Sequence, residues 1–354
     1  MKILNSLVAS SLLISSAMAL EPMAKEAGWS GFVLLGGGYL NYKNSEVAGN
    51  SFIDVEDKTI TNLGEPDNQS TGLPVITGTV KYTLEGMKTE FFVGNSLEDF
   101  LRMDATLALG VRHSFEGLGI MGVRLLASTT PTSVWEDPFL RNRDRVKTDR
   151  TSGGIGLKWE EIFGSGFEVD IRARKMDFDN DLNGYSMIGG AGGNPAAGTV
   201  ADVANGAYYI NSAQVQDLER DGTLASAELL YTWDINDNNS LVPSIKFTNN
   251  DRDGDARDYK ETALQLTHAY FSKKWIIATT VSAGKADYDT NNPVYRMEQD
   301  TDFVSGGMNV TYRQPFGWKD WGVNASVYVS RADSDVDFYD SELFLATLGM
   351  AYKF

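Results

Sequence analysis

The sequence predicts a transmembrane antiparallel β-barrel, all β, of about fourteen strands. Three features carry that expectation: a last segment that alternates in polarity and stops on Phe354, an amino-terminal apolar run that no later run matches, and strand pairs joined by alternately short and long connections. In the last segment Phe344, Ala346, Leu348, Met350, Tyr352 and Phe354 share one face, while Thr347, Gly349, Ala351 and Lys353 share the other, because side chains alternate along a strand. One face suits lipid and the other suits water. A terminal aromatic of this kind is also what barrel-assembly machinery reads, so the ending doubles as an address.

At the amino terminus, Lys2 precedes an apolar stretch from Ile3 to Met18 that closes on Ala17-Met18-Ala19. This reads as a cleavable secretory signal over 1–19, followed by a single barrel domain over 20–354. No later stretch approaches the roughly twenty apolar residues that a membrane helix needs. Spanning therefore falls to strands, which must pair and close because an unpaired backbone group in hydrocarbon is prohibitively costly.

The connections set the architecture. Short turns at Glu85-Gly86-Met87, Glu116-Gly117-Leu118-Gly119, Gly164-Ser165-Gly166, Asn236-Asp237-Asn238-Asn239, Ser272-Lys273 and Pro315-Phe316-Gly317-Trp318 carry the residues tight hairpins favour, and belong on the periplasmic side with both termini. Longer polar segments near 43–72, 131–148, 178–222, 250–257, 288–300 and 332–338, with a short one at Ser96 to Phe100, become extracellular loops. Strands so bounded number about fourteen, or twelve if Lys88 to Asn95 does not span.

Within the strands, period-2 alternation fixes the faces. Met103, Leu107, Leu109 and Val111 point outward, with Arg102, Asp104, Thr106, Gly110 and Arg112 inward. Phe167, Val169, Ile171 and Ala173 likewise face lipid, leaving Glu168, Asp170, Arg172 and Arg174 to the lumen. The opposite register would put arginine in hydrocarbon at about 2 to 4 kcal/mol each. Trp29, Trp159, Trp233, Tyr270, Trp275, Tyr312, Trp318 and Trp321 cluster beside the short turns, as an interfacial girdle requires.

Composition narrows the function classes. With 31 basic and 48 acidic side chains the net charge is -17, which repels nucleic-acid phosphate, and the absence of cysteine removes thiol and disulfide chemistry.

Five stretches carry a resemblance: Leu20-Glu21-Pro22-Met23-Ala24-Lys25-Glu26-Ala27-Gly28, Gly94-Asn95-Ser96-Leu97-Glu98-Asp99-Phe100-Leu101-Arg102, Val134-Trp135-Glu136-Asp137-Pro138, Pro315-Phe316-Gly317-Trp318-Lys319-Asp320-Trp321 and Asp337-Phe338-Tyr339-Asp340. On these the chain resembles the outer-membrane proteins of marine gamma-proteobacteria grouped as a domain of unknown function, of the 2860 type. The resemblance implies location and fold, with outer-membrane lipid and lipopolysaccharide as surroundings. It brings no substrate, cofactor or catalytic residue.

The projected lumen offers Lys81, Arg102, Arg112, Arg124, Arg150, Lys158, Arg172, Arg174, Lys246 and Arg313 against Glu90, Asp104, Glu168, Asp170 and Glu228. Rings of basic side chains build anion pores, and the acidic excess gathers in loops such as Asp54-Val55-Glu56-Asp57, Asp251-Arg252-Asp253-Gly254-Asp255 and Asp333-Ser334-Asp335-Val336-Asp337. The expectation is a porin-like channel for small anionic or hydroxyl-rich solutes. A closed structural or adhesion barrel, its charges paired across the interior, is the alternative.

The acidic loops lack the glycine and glutamate positions of a calcium loop, so no metal ligand is nominated. His113 and His268 fall near the short turns with no acidic orienter, and no enzyme is expected. The segment 178–222 is too long for a hairpin. Its glycine-rich core precedes Val200 to Arg220, read as a short helix, and the whole either constricts the lumen or caps the mouth. Val134 to Phe139 carries apolar bulk that packs on neighbouring loops or the inner wall.

Overall fold

In a computed structural model that describes residues 23–24, 26–95 and 105–354, antiparallel strands close into a barrel. Fourteen staves form its wall. They are β1 (Gly28–Lys43), β2 (Asn68–Thr83), β3 (Thr89–Asn95), β4 (Ala105–Phe115), β5 (Gly119–Thr130), β6 (Lys147–Glu160), β7 (Phe167–Phe178), β8 (Gly222–Tyr231), β9 (Asn239–Arg252), β10 (Tyr259–Phe271), β11 (Trp275–Tyr288), β12 (Thr301–Arg313), β13 (Trp321–Ser334) and β14 (Ser341–Lys353). Each pairs with its neighbours in the chain, and β1 closes on β14 from Phe32 opposite Lys353 to Lys43 opposite Glu342. Gly31 and Phe354 exchange both backbone hydrogen bonds at 3.0 Å, so the carboxyl end is zipped to the first stave. Thr89–Asn95 is one of the staves, which decides for fourteen rather than twelve.

The burial pattern is inverted relative to a water-soluble fold. Ile76 is 67% exposed and Leu348 61%, while Glu90, Arg112 and Lys158 are buried. Large apolar side chains facing outward along every stave, with charges inside, are stable only where the surrounding solvent is hydrocarbon. The molecule is a transmembrane β-barrel. The expected registers hold on β4, where Leu107 and Leu109 are exposed and Thr106 and Arg112 buried, and on β7, where Phe167 and Ile171 are exposed and Glu168, Asp170 and Arg174 buried. Arg102, Met103 and Asp104 lie outside the described residues.

The six short turns, the start of β1 and the end of β14 share one end of the barrel, the turn end. There the girdle forms as pairs of rings, Trp29 with Tyr82 at 5.0 Å, Trp275 with Tyr312 at 4.7 Å and Trp321 with Tyr352 at 5.0 Å. Amphipathic rings gain most where apolar and hydrated regions meet.

At the opposite, loop end the long connections build a second core. Leu63, Phe139, Met187, Ile210, Leu218, Ala256, Val294, Tyr295, Val336 and Phe338 come from six separate connections and bury one another. Phe139 stacks on Phe338 with centroids 5.0 Å apart, and the Tyr295 hydroxyl donates to the Leu63 carbonyl at 2.9 Å. These loops therefore form a packed cap, in which segment 178–222 is a participant. The helix expected over Val200 to Arg220 is absent: Val200–Asp202 pairs with Ala207–Tyr208, and only a 3₁₀ turn, Gln216–Leu218, is helical. Asn211 explains part of this, since its side chain accepts from the amides of Ala213 and Gln214 at 2.9 and 3.0 Å, an alternative to helical bonding.

One expectation about the inner face needs correction. Inward side chains on β1, β2 and β14 are apolar, from Leu34 in the turn half of β1 to Leu40, Leu73, Val75, Leu343 and Leu345 nearer the loop end. They are dry because the first long connection turns inward against them with Val47, Ile53 and Val55. Val47–Asn50 pairs with Thr132–Trp135, which pairs with β6, so an inner ribbon runs from cap to wall. Trp135 is buried there beneath the Arg145 guanidinium, 4.4 Å from its ring, as the apolar bulk of that stretch suggested.

Candidate functional site

Strand register sets the interior chemistry. Reading across β3 to β9, Glu90, Arg112, Gly122, Lys158, Asp170, Glu228 and Lys246 stand side by side in a single row. Arg112 reaches Glu90 at 2.8 Å and Glu160 at 3.3 Å, and Lys158 reaches Glu160 at 3.3 Å and Glu168 at 2.7 Å. One row away, Arg124 on β5 crosses β6 to meet Asp170 at 2.7 Å, which Arg172 also holds at 3.1 Å. The crossing depends on Gly156, where an added Cβ would sit 2.7 Å from Arg124 Nε. Around β10 to β13 the inward side chains also bond one another as neutral pairs. Thr267 meets Thr280 at 2.8 Å, Ser282 meets Ser305 at 2.6 Å, and Asn309 with Asn324 form a mutual amide pair.

Of the ten basic residues expected in the lumen, Lys81, Arg112, Lys158 and Arg174 are buried inward, and Arg124, Arg150, Arg172, Lys246 and Arg313 are partly so. Arg102 lies outside the described residues. The expected basic surplus is smaller than the sequence suggested, because Glu160, which the alternation count omitted, joins the belt between Arg112 and Lys158. Arg112, Arg124, Lys158 and Arg172 are thus paired rather than displayed. Arg313 stands apart near the turn end.

Two of the ten, Arg150 and Arg174, belong instead to a chamber of about 390 Å³ beneath the cap. Its wall is built by the loop-end rows of β6 to β11, and Tyr42, Asn44, Glu46 and Val134 face them from the other side. Register puts Arg174, Leu224, Asn250, Tyr259 and Tyr288 in one row, with Arg252 one inward position nearer the cap. Arg220 and Arg257 enter from the loops. Five arginines therefore line the chamber, against the carboxylates of Glu46 and Glu261.

Each arginine is positioned differently. Arg257 pairs with Glu46 at 2.8 Å, and Arg220 forks onto Asp181 at 2.7 and 2.9 Å while lying 4.6 Å over Phe178. Arg174 donates to Thr106 at 2.9 Å. Arg252 donates to the Arg220 carbonyl at 2.9 Å and touches Met176 Sδ at 3.1 Å, with no carboxylate partner among the described residues. Burial opposes the charge of Glu46, but Arg257, Arg220 and Arg150 outweigh it and hold its carboxyl below the ordinary glutamate range. Sequence reading missed Arg220, Arg252 and Arg257. Arg252 sits within an acidic run whose Asp251, Asp253 and Asp255 face solvent while it alone turns inward, and strand alternation at Asn250 and Arg252 was the available signal.

His113 bonds Thr89 Oγ1 at 2.7 Å and His268 bonds Asn239 Oδ1 at 3.1 Å, each near the turn end, and neither lines the chamber.

No curated protein matches the chain. Among solved structures it is similar to a Pseudomonas aeruginosa FadL homologue, with a TM-score of 0.45, 13% identity and coverage of 92% of this chain and 90% of that one. It is also similar to a loop L8 deletion mutant of OmpT, an outer-membrane protein of Vibrio cholerae, with a TM-score of 0.40, 13% identity and coverage of 92% and 100%. The outer-membrane channel DcaP of Acinetobacter baumannii gives a TM-score of 0.40, 12% identity and coverage of 93% and 97%. Residues 28–189 and 202–353, which hold every stave, match one family, and the chain belongs to it: the family described as "Protein of unknown function (DUF2860)".

Proposed function

We propose that the protein is a non-catalytic channel of the Gram-negative outer membrane for small anionic or hydroxyl-rich solutes, with its loop end covered by the cap in the conformation described. The arginine chamber carries this reading. It lies inside the bore directly beneath the cap, where an entering solute first meets the wall, and positive side chains at a constriction favour anions. The neutral pairs on β10 to β13 support hydroxyl-rich passengers, since these serine, threonine and asparagine side chains can trade their mutual bonds for bonds to a solute. The apolar exterior and ring girdle suit lipid and lipopolysaccharide, and the terminal Phe354 suits recognition by barrel-assembly machinery.

In planar bilayers the intact protein is expected to open rarely and to pass anions in preference to cations when it does. Cation preference, or silence that persists once the cap is loosened, overturns the proposal. A closed structural barrel is the second reading, favoured by the paired belt of Glu90, Arg112, Glu160 and Lys158, which fills space with satisfied charge. Uptake of charged and neutral sugars by cells with and without the protein separates the two.

A further inference from the structure

We propose that the chamber beneath the cap is a binding site for a phosphate monoester carried on a small hydroxylated body of about monosaccharide size. The inference takes its access route from the channel reading above, but its chemistry from the chamber alone.

The first support is charge. Arg150, Arg174, Arg220, Arg252 and Arg257 face a space whose lining holds two carboxylates, Glu46 and Glu261, with Glu46 committed to Arg257 and Arg220 held from outside the lining by Asp181. Arg252 has no carboxylate partner among the described residues. Guanidinium forks match the paired oxygens of a phosphate, and a doubly charged group answers this surplus better than a single carboxylate does.

The second support is unmet hydrogen bonding. Arg220 has a side chain only 4% exposed. Its Nε and Nη2 are spent on Asp181 and on the carbonyls of Trp135 and Glu136, yet its Nη1 is buried with no hydrogen-bond partner among the described residues. Asn250, also buried, donates from Nδ2 to the Arg257 carbonyl at 2.9 Å while its Oδ1 has no donor among the described residues. A buried donor and a buried acceptor are left open at two residues that line the chamber, and a small turn of either side chain would bring it to a ligand carrying both kinds of group. An oxyanion meets the arginine, and a hydroxyl meets the amide oxygen.

Shape agrees. At about 390 Å³ the chamber falls in the range of small-molecule sites. Tyr259 and Tyr288, with ring centroids 5.2 Å apart, supply an apolar face with polar tips on which a sugar ring can rest.

The test is calorimetric titration of the intact protein, folded in detergent, with glucose 6-phosphate, inorganic phosphate, gluconate and glucose. Glucose 6-phosphate is expected to bind at least about tenfold more tightly than gluconate or glucose, with inorganic phosphate between. Arg252→Gln is expected to weaken the ester about ten- to hundredfold, and Arg252→Lys, which keeps the charge and loses the fork, to restore part of that loss. An unchanged unfolding profile establishes that each variant is folded. Absence of heat from both phosphate probes up to about 10 mM, equal affinity for glucose, or indifference to both Arg252 variants would overturn the site. Ester binding without any ionic current removes the channel reading and leaves the site standing. Anion current without ester binding does the reverse.

Discussion

Glu46 and Arg257 stand 211 residues apart in the chain and meet at 2.8 Å beneath the cap. The pair ties the connection after β1 to the one after β9, and because the Arg257 guanidinium also lies 5.1 Å over the Tyr339 ring, it reaches the connection after β13 as well. A single half-buried cation thus couples three loops that share no local sequence. Its position at the chamber wall joins cap closure to the chemistry of the bore.

Removing one member of that pair leaves the other half-buried without its counter-charge, which costs about 1 to 3 kcal/mol. Glu46→Gln is therefore expected to loosen the cap while the staves hold. Single-channel recording should show more frequent and longer openings than in the native protein. Native-like silence would assign cap closure to the apolar core instead.

Acid should act on the same tie. The Glu46 carboxyl is held below the ordinary glutamate range, so the folded state binds its proton less readily than the unfolded chain does. That contribution is complete above the ordinary range and is lost as pH falls through the lowered folded value. Openings are expected to increase in that acid window, and to change less with pH in Glu46→Gln. A pH response identical in both proteins would show that another group governs it.

The cap also has a hydrophobic lock. Phe338 is buried against Phe139 and Tyr295, with centroids 5.0 and 6.1 Å away, and Phe338→Ala should cost about 3 to 5 kcal/mol of cap stability. Limited proteolysis is expected to cut the connections around 179–221 and 289–300 in the variant, leaving the barrel fragments protected. Native-like resistance of those loops would contradict a cap that depends on one shared core.

Within the bore, Arg112 is 1% exposed and satisfies both Glu90 and Glu160. Arg112→Met should destabilise the folded barrel by about 3 to 5 kcal/mol in urea unfolding from vesicles, because two carboxylates lose their shared cation. Adding Glu90→Gln is expected to recover part of the loss. If the double variant is no more stable than the single, the belt is not coupled as its distances imply.

On the outside, Leu348→Arg places a charge on the hydrocarbon face of the last stave and should cost about 2 to 4 kcal/mol of folding into lipid. Folding yields into vesicles measure this directly. A neutral effect would mean that this face does not meet lipid.

The wall was legible because a barrel stave obeys a local rule. Whether Ile171 faces lipid and Asp170 the bore follows from neighbouring positions alone, and the short turns carry their own geometry in residues such as Gly86, Gly117 and Gly164. That rule stops where the chain leaves the wall. Asn211 diverted a helix-forming composition into turns, and Leu34, Leu73 and Leu345 are apolar yet face inward because a distant segment, Val47 to Val55, covers them.

By itself the sequence determined a closed antiparallel barrel, the inward and outward faces of its staves, the end that carries the short turns and the identities of most charges in the bore. Only the tertiary structure decided that those charges pair around half the girth, that six loops bury a common core, and that Arg220, Arg252 and Arg257 converge with Arg150 and Arg174 on one chamber. Alternation is a property of adjacent residues, whereas closure, crossing ion pairs and loop packing join positions up to hundreds of residues apart, and no local pattern encodes which of them will meet.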